Sequence, residues 1–375
     1  MNSTAHRYES TAAALYVAVE LSAKEWLLTM SPAPDARRQR VRVRPGDMAA
    51  IQQALTAGKR RAGLAVEAPA WSCYEAGRDG YWPHRLLTAL GVHNLVVDSS
   101  SIEVPRRVRR AKTDRLDGEK LLRLLLRHGG GERGMWQVVQ VPTREAEDAR
   151  HASRGLTTLH TERTRYRNRI RGLLTLHGVL RVRLDARFPE RVATLTDWAG
   201  APLPCGAVAR LLETYRLLQA VEAECRRGRQ QERQRVRACA TGACAHRLAQ
   251  LRGVAARSAT ILADELLGRS LRNRREVGAL SGLVSAPYRS GTMQRDQGLV
   301  RSGVPAVRRI AIEVAWAWHR YQPTSALTQW YQRRFAGGGA VTRRIGIVAL
   351  ARRVLIALWR YSVTGMVPEG ALLKA

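Results

Sequence analysis

Acid is the component this sequence most conspicuously lacks. Only 31 Asp and Glu stand against 63 Lys and Arg in 375 residues, leaving a formal net charge of +32. A charge of that size speaks about partners rather than fold, and it predicts a polyanion: nucleic acid first, an anionic membrane surface second. Lysine is scarce as well. With 58 Arg and 5 Lys, the basic surface is built from planar guanidinium groups, which fork onto phosphate and stack on bases. GC-rich coding would give the same Arg-to-Lys ratio, but it would not give the shortage of acid.

Long apolar runs are missing. No stretch approaches the roughly 18 to 20 apolar residues of a membrane-spanning helix, and Met1 to Thr11 carries no apolar core of signal-peptide type. The expected location is therefore the cytoplasm. The cysteines are few: Cys73, Cys205, Cys225, Cys239 and Cys244 form no CxxC pair and have no histidines at finger spacing. That excludes a zinc finger and a disulfide framework. The five are read as reduced, and mostly as small buried hydrophobes.

The length allows two or three domains. Residues 14–98 read as α/β. Leu15 to Val19 and Trp26 to Met30 are short apolar runs of strand type, and Arg38 to Arg44 alternates basic residues with valine. Met48, Ile51 and Leu55 take helical spacing between Asp47 and Arg61. Trp71 to Glu75 is a strand ending in an acid, Pro83 to Leu90 a helix closed by Gly91, and His93 to Asp98 another strand. Asp114 to His128 is a helix broken by Gly129-Gly130-Gly131. The predicted architecture is α/β followed by α, in three parts: an RNase H-like (RuvC-like) catalytic domain over 1–143, a helical coiled-coil region over 144–245, and a mainly helical domain over 246–375. In the middle part Ala152, Leu156, Leu159, Tyr166, Ile170 and Leu173 form one apolar stripe, and Val208, Leu211, Tyr215, Leu218 and Cys225 form another. Two such helices predict an antiparallel or intermolecular coiled coil, or a helical hairpin within one subunit.

The chemistry concentrates in Arg109-Arg110-Ala111-Lys112-Thr113-Asp114-Arg115-Leu116-Asp117. Residues three apart on a helix share a face, so Asp114 and Asp117 can hold one divalent ion inside a basic run that draws in a polyanion. Arg106, Arg107, Arg109, Arg110, Lys112 and Arg115 are the candidate phosphate contacts there. Metal-dependent phosphodiester chemistry needs more carboxylates than two. Glu20 ends the first strand, and Glu75 ends the strand through Ser72-Cys73-Tyr74, competing with Glu67 after Ala65-Val66. Taken singly, each acid also fits a solvated strand end or a helix N-terminus favoured by the dipole. Leu251-Arg252-Gly253-Val254 leads into a further helix, either as a phosphate-binding N-terminus or as a simple turn.

These residues are similar to those of a known family. The motifs Tyr16-Val17-Ala18-Val19-Glu20-Leu21-Ser22, Cys73-Tyr74-Glu75-Ala76-Gly77-Arg78-Asp79-Gly80-Tyr81-Trp82 and Ala111-Lys112-Thr113-Asp114-Arg115-Leu116-Asp117 resemble the DEDD transposases of IS110-type insertion sequences, described as bridge-RNA-guided recombinases. A second block, Pro287-Tyr288-Arg289-Ser290-Gly291, Gly298 to Gly303 and Arg308-Arg309, resembles their C-terminal part, as do Ala351-Arg352-Arg353 and Ala357 to Tyr361. The resemblance implies that Glu20, Glu75, Asp114 and Asp117 form the acidic site for Mg²⁺ or Mn²⁺, that Ser290 is the nucleophile, and that acids and serine from different subunits combine. It implies double-stranded DNA and a structured guide RNA as partners, and a dimeric or tetrameric assembly. Arg289, Arg295 and Arg301 become candidate phosphate clamps around the serine. The sequence departs from the family at Glu20, where Asp is usual, at Arg301, which stands at a Lys position, and at Val304, which replaces Asn. Two other readings fit the same residues: a resolvase-like metal nuclease with no covalent intermediate, and a nucleic-acid-binding copy without catalysis.

Overall fold

In the computed structural model, largely buried central strands and a half-exposed edge strand build a five-stranded sheet in the order β3-β2-β1-β4-β5. The structure describes residues 13–102, 114–240, 243–290, 293–300 and 302–374, without the side chains of 114–115, 288–290 and 294–296. The strands are β1 (Leu15–Glu20), β2 (Trp26–Ser31), β3 (Gln39–Val43), β4 (Ala70–Glu75) and β5 (His93–Val97). β2 runs antiparallel to both β1 and β3, whereas β4 and β5 extend the sheet in parallel from β1.

Parallel strands need crossovers, and two helices supply them. Helix α1 (Met48–Arg61) opens on Asp47, whose carboxylate accepts from the Ala50 N–H at 2.8 Å. It closes on Lys59, Arg60 and Arg61, a charge order that complements the helix dipole. Helix α2 (Trp82–Ala89) has Pro83 in its first turn. Both sheet faces are covered. Leu15, Val17 and Val19 pack with Trp26, Leu28, Met30, Ile51 and Leu55 on one side. Ala18, Cys73 and Val97 pack on the other, under Leu121, Leu122 and Leu125 of helix α3 (Asp114–Gly129).

The chain divides into two compact units between Pro142 and Thr143. The second begins with α4 (Arg144–Leu176), capped by Thr143 through a 3.1 Å bond from the Ala146 N–H. A short α5 (Phe188–Ala193) follows, then α6 (Cys205–Ala238). The two long helices lie antiparallel within one chain: Leu156 meets Gly228, Arg167 pairs with Glu222 at 2.6 Å, and Arg235 donates to the Ala149 carbonyl at 3.3 Å. Of the α4 stripe read from the sequence, Leu156 and Ile170 are buried and Ala152 is exposed; Leu174, not Leu173, joins Ile170 in the buried cluster with Leu211, Tyr215 and Leu218 of the α6 stripe.

The rest of the unit surrounds a second apolar core made by α7 (Cys244–Gln250), α8 (Ala256–Leu262), α9 (Arg274–Ser281), α10 (Pro305–Tyr321), α11 (Ala326–Tyr331) and α12 (Ala340–Thr364), with Trp318 fully buried at its centre. A π-helical turn, Ala263–Leu267, extends α8 and aims two buried carboxylates at the long helices. Asp264 accepts two bonds from Arg235, at 2.9 and 2.7 Å, and Glu265 accepts two from Arg154, at 2.6 and 3.0 Å. The helical expectation for this part needs one addition. β6 (Ser285–Ser290) and β7 (Met293–Leu299) form an antiparallel hairpin. It was not legible because its polar residues carry no apolar alternation; the backbone ladder alone makes it a strand pair.

Candidate active site and nucleic-acid interface

The register of β1 on β4 positions the first two acids. Tyr16, Val17 and Ala18 pair with Trp71, Ser72 and Cys73. Two residues on, in step along both strands, stand Glu20 and Glu75 at the carboxyl ends of adjacent parallel strands. Side chains alternate along a strand, so Glu20 shares the face of Ala18, and Glu75 the face of Cys73. That face carries α3. Glu20 is half-buried and Glu75 exposed. Burial, and then the Glu75 carboxylate, push the Cys73 thiol well above its usual range, so this cysteine stays a neutral packing group.

Helix α3 brings the second pair of acids. Gly118 faces Thr29, the strand partner of Ala18, while Gly129 faces the ring of Tyr16. The helix therefore runs with its amino end toward the carboxyl ends of β1 and β4. The Cys73 thiol contacts the Leu121 carbonyl at 3.9 Å, and Glu119 pairs with Arg40 of β3. Asp117 lies half-buried in the first turn, and Asp114 is the first residue of the helix. Glu20, Glu75 and Asp117 thus belong to one end and one face of the sheet, and the backbone start of α3 carries Asp114 to the same end. Among the described residues, no group of three His, Cys, Asp or Glu is already clustered as a metal cage; the Asp114 carboxylate is outside that description.

Asp98, an acid that sequence reasoning passed over, follows β5 at the same end, since Glu75 pairs with Val97. Its carboxylate is engaged in a cap, accepting from the Ser100 N–H at 2.9 Å and the Ser100 hydroxyl at 2.8 Å. The signal available for it was the same as for Glu75, an acid closing an apolar run. Glu67, the competitor of Glu75, precedes β4 and so lies toward the opposite end of the sheet.

Ser290 is the last residue of β6 and pairs with Met293, the first of β7. The hairpin stands out from its unit, with Ser285, Pro287, Met293, Gln297 and Leu299 exposed. Its root is tied down by a 2.9 Å bond from the Val300 N–H to the Val284 carbonyl and by Arg308, which donates to the Val300 and Ser302 carbonyls at 2.8 and 2.6 Å. Arg289 and Arg295 occupy successive rungs, Arg289 opposite Gln294 and Arg295 opposite Tyr288. Arg115 sits in the first turn of α3. Arg106, Arg107, Arg109, Arg110, Lys112 and Arg301 lie outside the described residues.

Residues 245–330 match the model of the transposase IS116/IS110/IS902 family. A protein of Sinorhizobium fredii (strain NBRC 101917 / NGR234) described as "Putative transposase y4rJ" is 38% identical over 385 residues, covering 96% of this chain and 95% of the relative. A second from the same organism, "Putative transposase y4qE", is 30% identical over 279 residues, covering 72% of this chain and 65% of the relative. The chain belongs to the IS116/IS110/IS902 family of insertion-sequence transposases.

Proposed function

We propose that this transposase cuts and rejoins DNA through a covalent phosphoserine on Ser290, assisted by carboxylates gathered at one end of an RNase H-like domain. The observation that carries this reading is the in-step register that leaves Glu20 and Glu75 level on neighbouring parallel strands, under the first turn of α3 with Asp114 and Asp117. The strand order, with three antiparallel strands continued by two parallel ones, supports the RNase H-like assignment.

The donor set is carboxylate oxygen only, which suits a hard divalent ion such as Mg²⁺ or Mn²⁺. Glu20, Glu75, Asp114 and Asp117 would hold it, and when bound it would supply charge stabilisation to the phosphoryl oxygens and the leaving oxygen. The chain's own residues do the rest. The Ser290 hydroxyl loses its proton and its Oγ bonds to phosphorus. The bond from phosphorus to the leaving deoxyribose oxygen breaks, and that oxygen takes up a proton. In rejoining, another deoxyribose hydroxyl attacks the phosphoserine and Ser290 leaves with its hydroxyl restored. Arg289, Arg295 and Arg301 would hold the flanking phosphates.

The net charge of +32 supports a structured guide RNA in addition to duplex DNA. Leu176, Leu180 and Trp198, which are 78%, 77% and 83% exposed around the far end of the long hairpin, support self-association into a dimer or tetramer.

The test is covalent capture. Labelled element-end DNA, with co-purified RNA and Mg²⁺, is incubated with wild type, Ser290→Ala and Asp117→Asn, then run under denaturing conditions. A protease-sensitive protein–DNA adduct with wild type alone is the expected result. Strand cleavage by Ser290→Ala with no adduct from any form would replace the serine mechanism with a resolvase-like one.

A further inference from the structure

An arginine-lined groove in the second unit has no part in the chemistry above. It is an open cavity of about 1500 Å³ between α9, the root of the β6–β7 hairpin, α11 and one face of α12. That is larger than the roughly 300–1,000 Å³ of small-molecule sites. Arg274, Arg275, Arg334, Arg352, Arg353 and Arg360 line it, against the single acid Glu369. None of the six makes an ion pair with a described carboxylate. Six cations facing one cavity repel one another unless a polyanion lies between them.

Its walls are not those of a duplex phosphate cradle. Between the arginines the lining is apolar, with Leu283, Ile345, Val348 and Ile356. Trp330 lies half-buried in it, with the Arg353 guanidinium 3.8 Å from the ring centroid and Phe335 edge-on at 5.5 Å. Flat aromatic and apolar surfaces among guanidinium groups match unpaired bases, whose faces are hidden inside a double helix. The groove face of α12 runs from Ile345 to Arg360, about 22 Å at 1.5 Å per residue and roughly six stacked nucleotides long. Its other wall includes Ser285 and Leu299, the root of the hairpin that ends on Ser290. A second copy of this chain, itself at +32, is the wrong sign to fill it.

We infer that this groove binds a single strand of DNA and leads it along α12 to the hairpin root. The inference rests on the assignment of Ser290 to DNA chemistry for its choice of DNA, and on the groove alone for its choice of an unpaired strand. It separates two jobs within the unit: the hairpin carries the reactive hydroxyl, and the groove holds the strand freed from its complement.

The test is fluorescence anisotropy on the full chain with a labelled 12-nucleotide dT strand, a 12-base-pair duplex and a 12-nucleotide rU strand. Arg353→Glu/Arg360→Glu changes two exposed groove residues, Trp330→Leu removes the stacking ring, and Arg226→Glu/Arg233→Glu on the exposed face of α6 matches the charge change elsewhere. The expected result is a loss of dT affinity of at least ten-fold for the groove double variant and of roughly ten-fold for Trp330→Leu, with less than three-fold for the α6 control. The slope of log affinity against log salt should fall by about 2 in the groove double variant. Equal loss in groove and control variants, or unchanged dT binding, would overturn the inference. So would tighter binding of rU than dT, which would give the groove to RNA, or a change in sedimentation without a change in dT affinity, which would give it to another protein copy. None of these readouts involves strand cleavage, so the groove can fail while the Ser290 adduct stands, and the reverse.

Discussion

Glu20 and Glu75 stand level at the carboxyl ends of β1 and β4, because Ala18 pairs with Cys73 and both strands continue in step for two residues. A one-residue slip of either strand would turn its acid to the opposite face, away from α3. The pairing is held by buried residues on both sides of the sheet, so the placement of the acids is a property of the core.

Neutralising one acid should therefore remove activity and spare the fold. Asp117→Asn and Glu75→Gln are each expected to lower strand cleavage by roughly 10²-fold or more, with thermal unfolding midpoints within a few degrees of wild type. Circular dichroism melts beside a cleavage assay check this. A collapse of the fold in Glu75→Gln would mean that its carboxylate is structural.

Asp264 is buried, its side chain 7% exposed, and takes both terminal nitrogens of Arg235. Arg235→Ala leaves that carboxylate without its counter-charge and should cost about 2–3 kcal/mol in urea unfolding, the Arg being itself partly exposed. Replacing both partners, as in Arg235→Met/Asp264→Leu, should cost less than the single change, because no unpaired charge is then buried.

Gly303 links the hairpin to α10 at φ +94°, and a Cβ there would lie 2.6 Å from the Gly282 nitrogen and 2.8 Å from the Leu280 carbonyl oxygen. Gly298 has φ +83° with nothing within 4 Å of such a Cβ. Gly303→Ala should thus destabilise the unit by about 2 kcal/mol or more, and Gly298→Ala by roughly 1–2 kcal/mol from the left-handed backbone alone. Chemical denaturation of the two variants measures the difference.

His160 is held neutral, its pKa lowered to about 4, first by burial and then by Arg257, Arg163, Arg229 and Arg309. Its folded value lies below its unfolded value near 6.5, so the unfolded chain binds the proton more readily. The stability tied to this group is complete above about pH 6.5 and is lost as pH falls toward 4. Wild type should lose more stability than His160→Gln across that window. Parallel denaturation curves for the two at every pH would show that His160 titrates normally.

Duplex DNA binding should weaken by roughly 10²-fold or more between 50 and 200 mM salt, as counterion release requires when many phosphates are contacted. A flat response in a filter-binding titration would remove the electrostatic basis for a nucleic-acid partner.

Much of the fold was legible in the order of residues. The strands β1 to β5 and the long helices α4 and α6 follow from periodicity, because each is a local pattern; the acids at 20, 75, 114 and 117 were named from strand ends, helical spacing and resemblance. The β6–β7 hairpin was not, since Gln294, Arg295 and Asp296 offer no alternation to read. Nor was the groove: its six arginines come from three separate stretches of chain, α9, the π-helical turn Gln332–Ala336 that follows α11, and α12. By itself the sequence determined the charge, the element types outside the β6–β7 hairpin and the candidate chemical groups. Tertiary structure alone decided that β1 and β4 run in step, that the amino end of α3 meets them, and that dispersed arginines line one cavity. Those outcomes depend on which buried surfaces pack together across the chain, and no local window of residues contains that information.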